Sequence, residues 1–150
     1  MKIKYEEDFY GWAMANAIFM RKGQLKKLDI DNLIEEIESM GRREKNALIS
    51  HFSILVAHLL KWHYQPEFRT RPDGTVNRSW QLTIKNQRND LRELLEENPS
   101  LKSKVNHFLE KIYLKALVLA EEETGLHLET FPQEFPYTIE ECLDDEFFPN

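Results

Sequence analysis

The segment from residue 47 to residue 65, ALISHFSILVAHLLKWHYQ, constrains the fold more than any other part of the chain. Wound as an α-helix, it is apolar on nearly every side, with Leu48, Phe52, Leu55, Leu59 and Trp62 on one side and Ile49, Val56 and Leu60 on another. A helix of this kind is stable only when neighbouring elements cover it all round. Pro66 ends it, because proline disfavours helix in the residue before it and has no backbone N–H. The rest of the chain must therefore supply the helices that surround it.

Apolar residues recur at helical spacing in several further segments. The first of these predicted helices has Phe9, Trp12 and Met20 on the face expected to be buried. Gly41 is expected to interrupt the helical structure before the central helix. Gly125 is expected to end the last long helix in a left-handed conformation. We predict helices over about residues 6–22, 30–40, 42–65, 79–97, 101–124 and 138–143.

The C-terminal stretch LHLETFPQEFPYTIEECLDDEFFPN is too apolar for a disordered acidic tail. We expect an extended segment strapped across the bundle, followed by a short helix in which Thr138 and Glu141 form a capping box. No repeat or second domain is visible. The sequence thus predicts an all-α fold: one domain over residues 1–150, a helical bundle of about four main helices with an extended C-terminal strap and a short terminal helix.

The net charge of −6 conceals a division along the chain. Residues 61–92 contain seven Lys and Arg against three Asp and Glu, whereas no Lys or Arg follows Lys115. The basic block could attract an anionic partner, or the acidic end could fold back and neutralise it. We favour the second interpretation.

Cellular location and cofactors are constrained only weakly. The single cysteine, Cys142, forms neither an internal disulfide nor a multi-cysteine metal site, and no stretch of about 20 apolar residues could span a bilayer. The first residues lack the apolar run of a signal peptide. We expect a cytoplasmic protein with no membrane contact and no cofactor.

Separated motifs over almost the entire chain resemble domain of unknown function family 29 (DUF29), a bacterial family. The motifs are YEEDFYGWA, LDIDNLIEEIESMGRRE, LLKWHYQP, RSWQLTIKNQR, NPSL, TGL and FPYTIEECLDDEFFP. The resemblance implies an all-helical single domain and no assigned activity, substrate or cofactor. The loop over residues 66–78 is longer here than the short run usual in the family.

A polar seam runs along the central helix, formed by His51, His58, Lys61 and Gln65, which lie within about a quarter turn of one another. His58 could transfer a proton and Lys61 could attract an anion, which would make a small catalytic site. The alternative, which we favour, is a hydrogen-bonded core histidine and a lysine whose ammonium group reaches solvent at the helix end. Gln65 is a candidate ligand-binding residue of the same seam.

A basic ridge is expected on the third main helix, where Arg78, Lys85 and Arg92 are spaced by sevens and Arg88 projects beside them. Arginine binds phosphate through a planar fork, so nucleic acid or a phosphate ligand is the functional interpretation. The alternative is a basic face that is solvated or paired with the acidic tail or a protein.

Gln87 falls on the apolar stripe of the same helix, where a buried amide needs partners. We hypothesise that Gln87 and Arg88 meet His58, Lys61 or Gln65, either as a buried polar lock or as the floor of a pocket.

Metal and nucleophile motifs are missing from the sequence. His51 and His58 lie about 10.5 Å apart along a helix axis, too far for joint ligation, and no H-E-x-x-H or Glu-x-x-His pair occurs. We therefore predict no metal site.

Three function classes follow from these features. The sequence favours a non-catalytic binding or regulatory protein that acts through a protein partner or as a homo-oligomer. Binding of nucleic acid or a phosphate ligand by the basic ridge is the alternative. A small enzyme using His58 and Lys61 is the least favoured.

Overall fold

Four long helices and two short ones make up the fold in the computed structural model, which describes residues 3–150. They are α1 (Phe9–Arg21), α2 (Ile30–Tyr64), α3 (Arg78–Glu97), α4 (Pro99–Lys102), α5 (Val105–Thr124) and α6 (Ile139–Leu143). Three 3-10 turns lie at Leu25–Lys27, Pro66–Phe68 and Leu128–Thr130, and residues 3–150 contain no strand. The predicted all-α fold with four main helices is confirmed.

The contacts of the chain group into two compact units, Met1–Arg43 and Glu44–Asn150. The boundary falls inside α2, so this helix contributes to both units. That the chain forms one domain over residues 1–150 stays a prediction.

The second unit holds the main hydrophobic core, and α2 is its centre. Leu48, Phe52, Leu55 and Leu59 are 0% exposed. Buried side chains of α3, α5 and the C-terminal segment pack in the same cluster, among them Ile84, Leu91, Ile112, Ala116, Phe131, Tyr137 and Cys142. The segment that the sequence marked as apolar all round is therefore covered by helices, as its pattern requires.

Two predicted helix boundaries are wrong. Gly41 does not interrupt the helical structure, because α2 runs through it as one helix of 35 residues. Glycine lowers helix stability by only about 1 kcal/mol, which one position in a long helix tolerates. The last long helix, α5, begins at Val105 rather than at about residue 101, because Pro99–Lys102 form the separate short helix α4.

The C-terminal segment of the second unit follows Gly125, whose φ of 72° ends α5 in the expected left-handed conformation. Phe131 and Tyr137 are buried, and the predicted capping box of Thr138 and Glu141 is present at the start of α6. The segment is thus an ordered part of the core.

The first unit is built around Trp12 and Asn16, the residues of α1 that are buried. Trp12 Nε1 donates to Asp29 Oδ2 at 2.9 Å. Asn16 Nδ2 donates to the Trp12 carbonyl, and its Oδ1 accepts from the Asp29 N–H. The expected core face of this helix is wrong at both ends, because Phe9 and Met20 are 53% and 49% exposed.

Candidate functional site

His58 is partly buried on α2, and its hydrogen bond assigns its tautomer. Nδ1 lies 3.0 Å from the Ile54 carbonyl oxygen, one helical turn back. Because a carbonyl only accepts, Nδ1 carries the proton and Nε2 is unprotonated in the neutral ring. Burial lowers the pKa of His58 below its usual value, and the charge of Lys61 acts in the same direction. Burial and Lys61 thus favour the neutral ring, whereas the bond to the Ile54 carbonyl favours the charged one.

Lys61 is buried at 9% exposure, and its charge has two partners. Nζ donates to Glu123 Oε2 on α5 at 2.8 Å. The same ammonium lies 5.0 Å from the centre of the Trp80 ring, within cation–π range. A lysine whose charge is already balanced in this way is a weak attractor for a further anion.

Gln87 has a partner in the polar seam, but not one that we named for it. His51 Nδ1 donates to Gln87 Oε1 at 2.7 Å, and Asp90 Oδ2 lies 3.9 Å from the same nitrogen. In the described part of the chain, no hydrogen bond joins Gln87 or Arg88 to His58, Lys61 or Gln65. Gln65 is partly buried and precedes the 3-10 turn that follows α2, without a side-chain cap.

Arg88 does not project from a ridge, because it is 1% exposed. Its guanidinium donates to three backbone carbonyls of the C-terminal segment: Cys142 and Phe147, each at 2.7 Å, and Asp145 at 3.4 Å. It also lies over the Phe148 ring at 5.4 Å. Burial lowers the pKa of Arg88 from its usual value.

Two further arginines hold the same segment. Arg92 donates to the Leu143 carbonyl at 2.9 Å and forms an ion pair of 2.8 Å with Asp145. Arg69 donates to the Trp62 carbonyl at 2.7 Å and to the Pro149 carbonyl at 3.3 Å. The acidic end of the chain has therefore folded back onto two residues of the predicted ridge.

Arg78 and Lys85 of the predicted ridge are exposed, and so is Arg71. All three line one open groove of about 970 Å³, together with Thr75 and Ser79. Arg71 belongs to a tight turn in which Thr70 and Val76 form an isolated bridge and Asp73 accepts two hydrogen bonds from Thr75. Within residues 3–150, no ion pair involves any of the three cations.

Most of the large apolar side chains that are exposed among the described residues lie in the first unit. On α1 the exposed residues Tyr10, Met14 and Ile18 are four apart and share one face. On α2, Ile30, Ile34, Ile37 and Met40 are 51%, 48%, 64% and 56% exposed. Exposed apolar patches of this kind mark interaction sites.

The contacts of the described residues give little support for metal or thiol chemistry. In the part of the chain that is described, no group of three or more His, Cys, Asp or Glu side chains could hold a metal ion. Burial raises the pKa of Cys142 to about 12, so its sulfur is a poor nucleophile. No helix among the described residues combines the length and apolarity needed to cross a bilayer.

Sequence reasoning missed Glu123 and Arg69. A lysine inside an apolar helix requires a counter-charge, which pointed to an acid but not to Glu123 in particular. Arg69 gave no signal beyond its place in the basic block, because its acceptors are backbone carbonyls.

The comparisons with known proteins identify a family and no function. A family model described as "Domain of unknown function DUF29" matches residues 4–148, nearly the whole chain. No curated protein and no solved structure matches the chain.

Proposed function

Because the chain belongs to the family described as domain of unknown function DUF29, which carries no assigned activity, we propose a function from geometry alone: a non-catalytic protein that binds a protein partner through its first unit. The exposed apolar faces of α1 and α2 carry this proposal. Of the described residues of that unit, Trp12 and Asn16 alone are buried, whereas Tyr10 and Ile37 are 75% and 64% exposed.

The energetics favour a partner over a permanently bare surface. Burying an isoleucine or methionine side chain contributes about 1.5–3 kcal/mol, so several half-exposed ones supply a substantial driving force for association. Units of roughly 40 residues seldom bury enough surface to be stable without help, and association is one form of help. A partner helix with an apolar face would cover the exposed side chains and would add the buried surface that stabilises the unit.

The contacts of His58 and Lys61 support structural roles rather than catalysis. Burial lowers the pKa of His58, whose ring is bonded to its own helix, and Lys61 is paired with Glu123. We also propose a cytoplasmic location, which is supported by a single cysteine that is free and buried.

Site-specific photo-crosslinking in living cells tests the proposal. A photoreactive amino acid at Met14 or Ile37 should give a discrete crosslinked protein that mass spectrometry identifies. The same group at Glu96, an exposed residue of α3, is the control and should give none. If neither Met14 nor Ile37 gives a discrete product, the first unit is not a protein-binding surface.

A second candidate function is binding of a phosphate-rich ligand in the groove lined by Arg71, Arg78 and Lys85. The observation that favours it is three exposed cations on one groove, none of which forms an ion pair within residues 3–150. Phosphate contacts of this kind give affinity that falls steeply with salt.

Titration calorimetry with tripolyphosphate and with a single-stranded oligonucleotide, at low and moderate salt, tests this second candidate. Arg71→Ala and Arg78→Ala should each weaken binding roughly tenfold, since a phosphate contact contributes about 1.4 kcal/mol or more. Lys111→Ala, on an exposed part of α5, is the matched control. Undetectable binding at low salt would remove this candidate, and a response to the oligonucleotide alone would indicate nucleic acid.

A further inference from the structure

The open groove of the second candidate function adjoins a smaller cavity along α3. Gln81 and Lys85 line the groove and also line this cavity of about 430 Å³. The other residues that line the cavity are Arg88, Asp145 and Phe148. An anion that extends from the groove past Lys85 would therefore meet Asp145.

Asp145 places a negative charge at the end of the basic ridge. Its Oδ1 accepts a hydrogen bond from Arg92 Nη2 at 2.8 Å. That bond is the main cause that lowers the pKa of Asp145 from its usual value, and the charges of Arg88 and Lys85 act in the same direction. Asp145 is thus ionised at neutral pH and interacts with the cations that an anionic ligand would use.

Arg92 is held in position by contacts that do not involve Asp145. Its Nη1 donates to the Leu143 carbonyl and its Nη2 donates to Asn89 Oδ1, each at 2.9 Å. It follows Lys85 by seven residues, about 10.5 Å along the axis, and so lies on nearly the same side of α3. If the Asp145 carboxylate moved away, the Arg92 guanidinium would extend the row of unpaired cations by one residue.

The carboxylate can move away without unfolding the segment that carries it. The side chains of Arg92 and Asp145 are 36% and 59% exposed, and exposed pairs of this kind contribute little to stability. The backbone on both sides of Asp145 is held separately, because the Arg88 guanidinium donates to the carbonyls of Cys142 and Phe147, each at 2.7 Å. The ion pair is therefore a weak contact within a firmly anchored segment.

We propose that Asp145 is a built-in competitor for the phosphate ligand of the groove, and that Arg92 is a further ligand-binding residue which Asp145 occupies in the free protein. This inference rests on the second candidate function, since it describes the regulation of the same site. A ligand of linked phosphates that reaches past Lys85 displaces the carboxylate and takes its place on Arg92. A phosphate group can bond the guanidinium through two oxygens, whereas Asp145 bonds it through Oδ1.

Titration calorimetry at low salt, with tripolyphosphate and with a single-stranded oligonucleotide, tests the competition. Asp145→Asn keeps the size of the side chain and removes its charge, so a probe that binds the wild type should bind this variant about fivefold more tightly. Glu110→Gln, at an exposed residue of α5, makes the same change in net charge and is the matched control. It should change the affinity by less than about twofold, since solvent screens distant exposed charges.

A double-mutant cycle tests the part assigned to Arg92. Arg92→Gln should weaken binding little in the wild type, where Asp145 already holds the guanidinium, but should cancel the gain of Asp145→Asn. Circular dichroism checks that each variant is folded, since Arg92 also donates to the Leu143 carbonyl. If Arg92→Gln does not fold, the comparison of Asp145→Asn with Glu110→Gln decides alone.

The outcomes separate this inference from the second candidate function. An affinity that Asp145→Asn raises no more than Glu110→Gln does overturns the inference and leaves the groove as a phosphate site. A gain that persists in the folded double variant has the same consequence, because Arg92 is then not the contact that is released. If neither the wild type nor Asp145→Asn binds either probe, both are wrong.

Discussion

Arg88 donates hydrogen bonds to three carbonyls from a side chain that is 1% exposed, and it accounts for the position of the chain end. Buried carbonyls that lose their donor cost about 1–3 kcal/mol each. Within residues 3–150 Arg88 forms no ion pair, and the side chain of Asp145, whose carbonyl accepts from Arg88, is paired with Arg92. The residue therefore acts by fixing the backbone of residues 142–147.

Replacing this arginine with an apolar side chain tests that role. Arg88→Met keeps much of the volume and removes every donor, so we expect the free energy of unfolding to fall by about 3 kcal/mol. Urea denaturation followed by circular dichroism measures it. Arg78→Met, on the exposed first turn of the same helix, should change it by less than about 0.5 kcal/mol. A loss below about 1 kcal/mol at Arg88 would contradict the assigned role.

His58 makes stability depend on pH in a defined direction. Its folded pKa lies below the ordinary value of 6.5, mainly because burial penalises the charged ring. The unfolded chain therefore binds more protons just below pH 6.5, and stability must fall as pH drops through that window. His63, whose pKa burial also lowers, acts in the same direction.

Stability curves in urea between pH 7.5 and about pH 5 check this sign. We expect full stability above pH 6.5 and a progressive loss below it, and His58→Leu should make the decline shallower. His127→Leu, at an exposed histidine, is the matched control. A stability that rises on acidification across this window would contradict the assignment.

At the scale of elements, the continuity of α2 through Gly41 leads to a stabilising substitution. A Cβ at this position meets no atom within 4 Å, and the residue lies in the helix interior. Gly41→Ala should therefore raise the free energy of unfolding by about 0.5–1 kcal/mol.

Gly125 supplies the contrast for the same urea measurement. It also has open space around its α-carbon, but its φ is +72°. Gly125→Ala should lower stability by about 1 kcal/mol, since a left-handed conformation is costly for any residue with a Cβ. If Gly41→Ala destabilised the protein by a similar amount, the helix would not be continuous there.

For the whole molecule, the division into two units predicts uneven protection of the backbone. The second unit contains most of the core, whereas residues 3–43 of the first include two buried side chains, those of Trp12 and Asn16. Local opening costs little where few apolar contacts are broken.

Hydrogen exchange followed by mass spectrometry should therefore show faster exchange over residues 9–43 than over residues 48–60, although α2 spans both. Equal protection over both ranges at low concentration would contradict the division.

Sequence and structure agree on the elements whose signal is local. Periodic apolar residues located the four long helices, and Thr138, Glu141 and Gly125 marked two boundaries, because caps act within one turn. The sequence-based boundary at Gly41 was wrong, since a weak helix former is tolerated where flanking turns are strong. At the candidate site, the sequence identified the polar seam but not the residues that contact it.

What the sequence determined by itself is therefore the helical architecture, the buried centre at residues 47–65 and the membership in a family. Only the tertiary structure decided that Arg88 is buried under the C-terminal segment, that Lys61 meets Glu123, and that Ile30, Ile34 and Ile37 are bare. The physical reason is that helical periodicity specifies which side of a helix is apolar, while burial and charge pairing depend on residues distant in sequence. The stripe on α2 illustrates it, because one pattern is core in one unit and surface in the other.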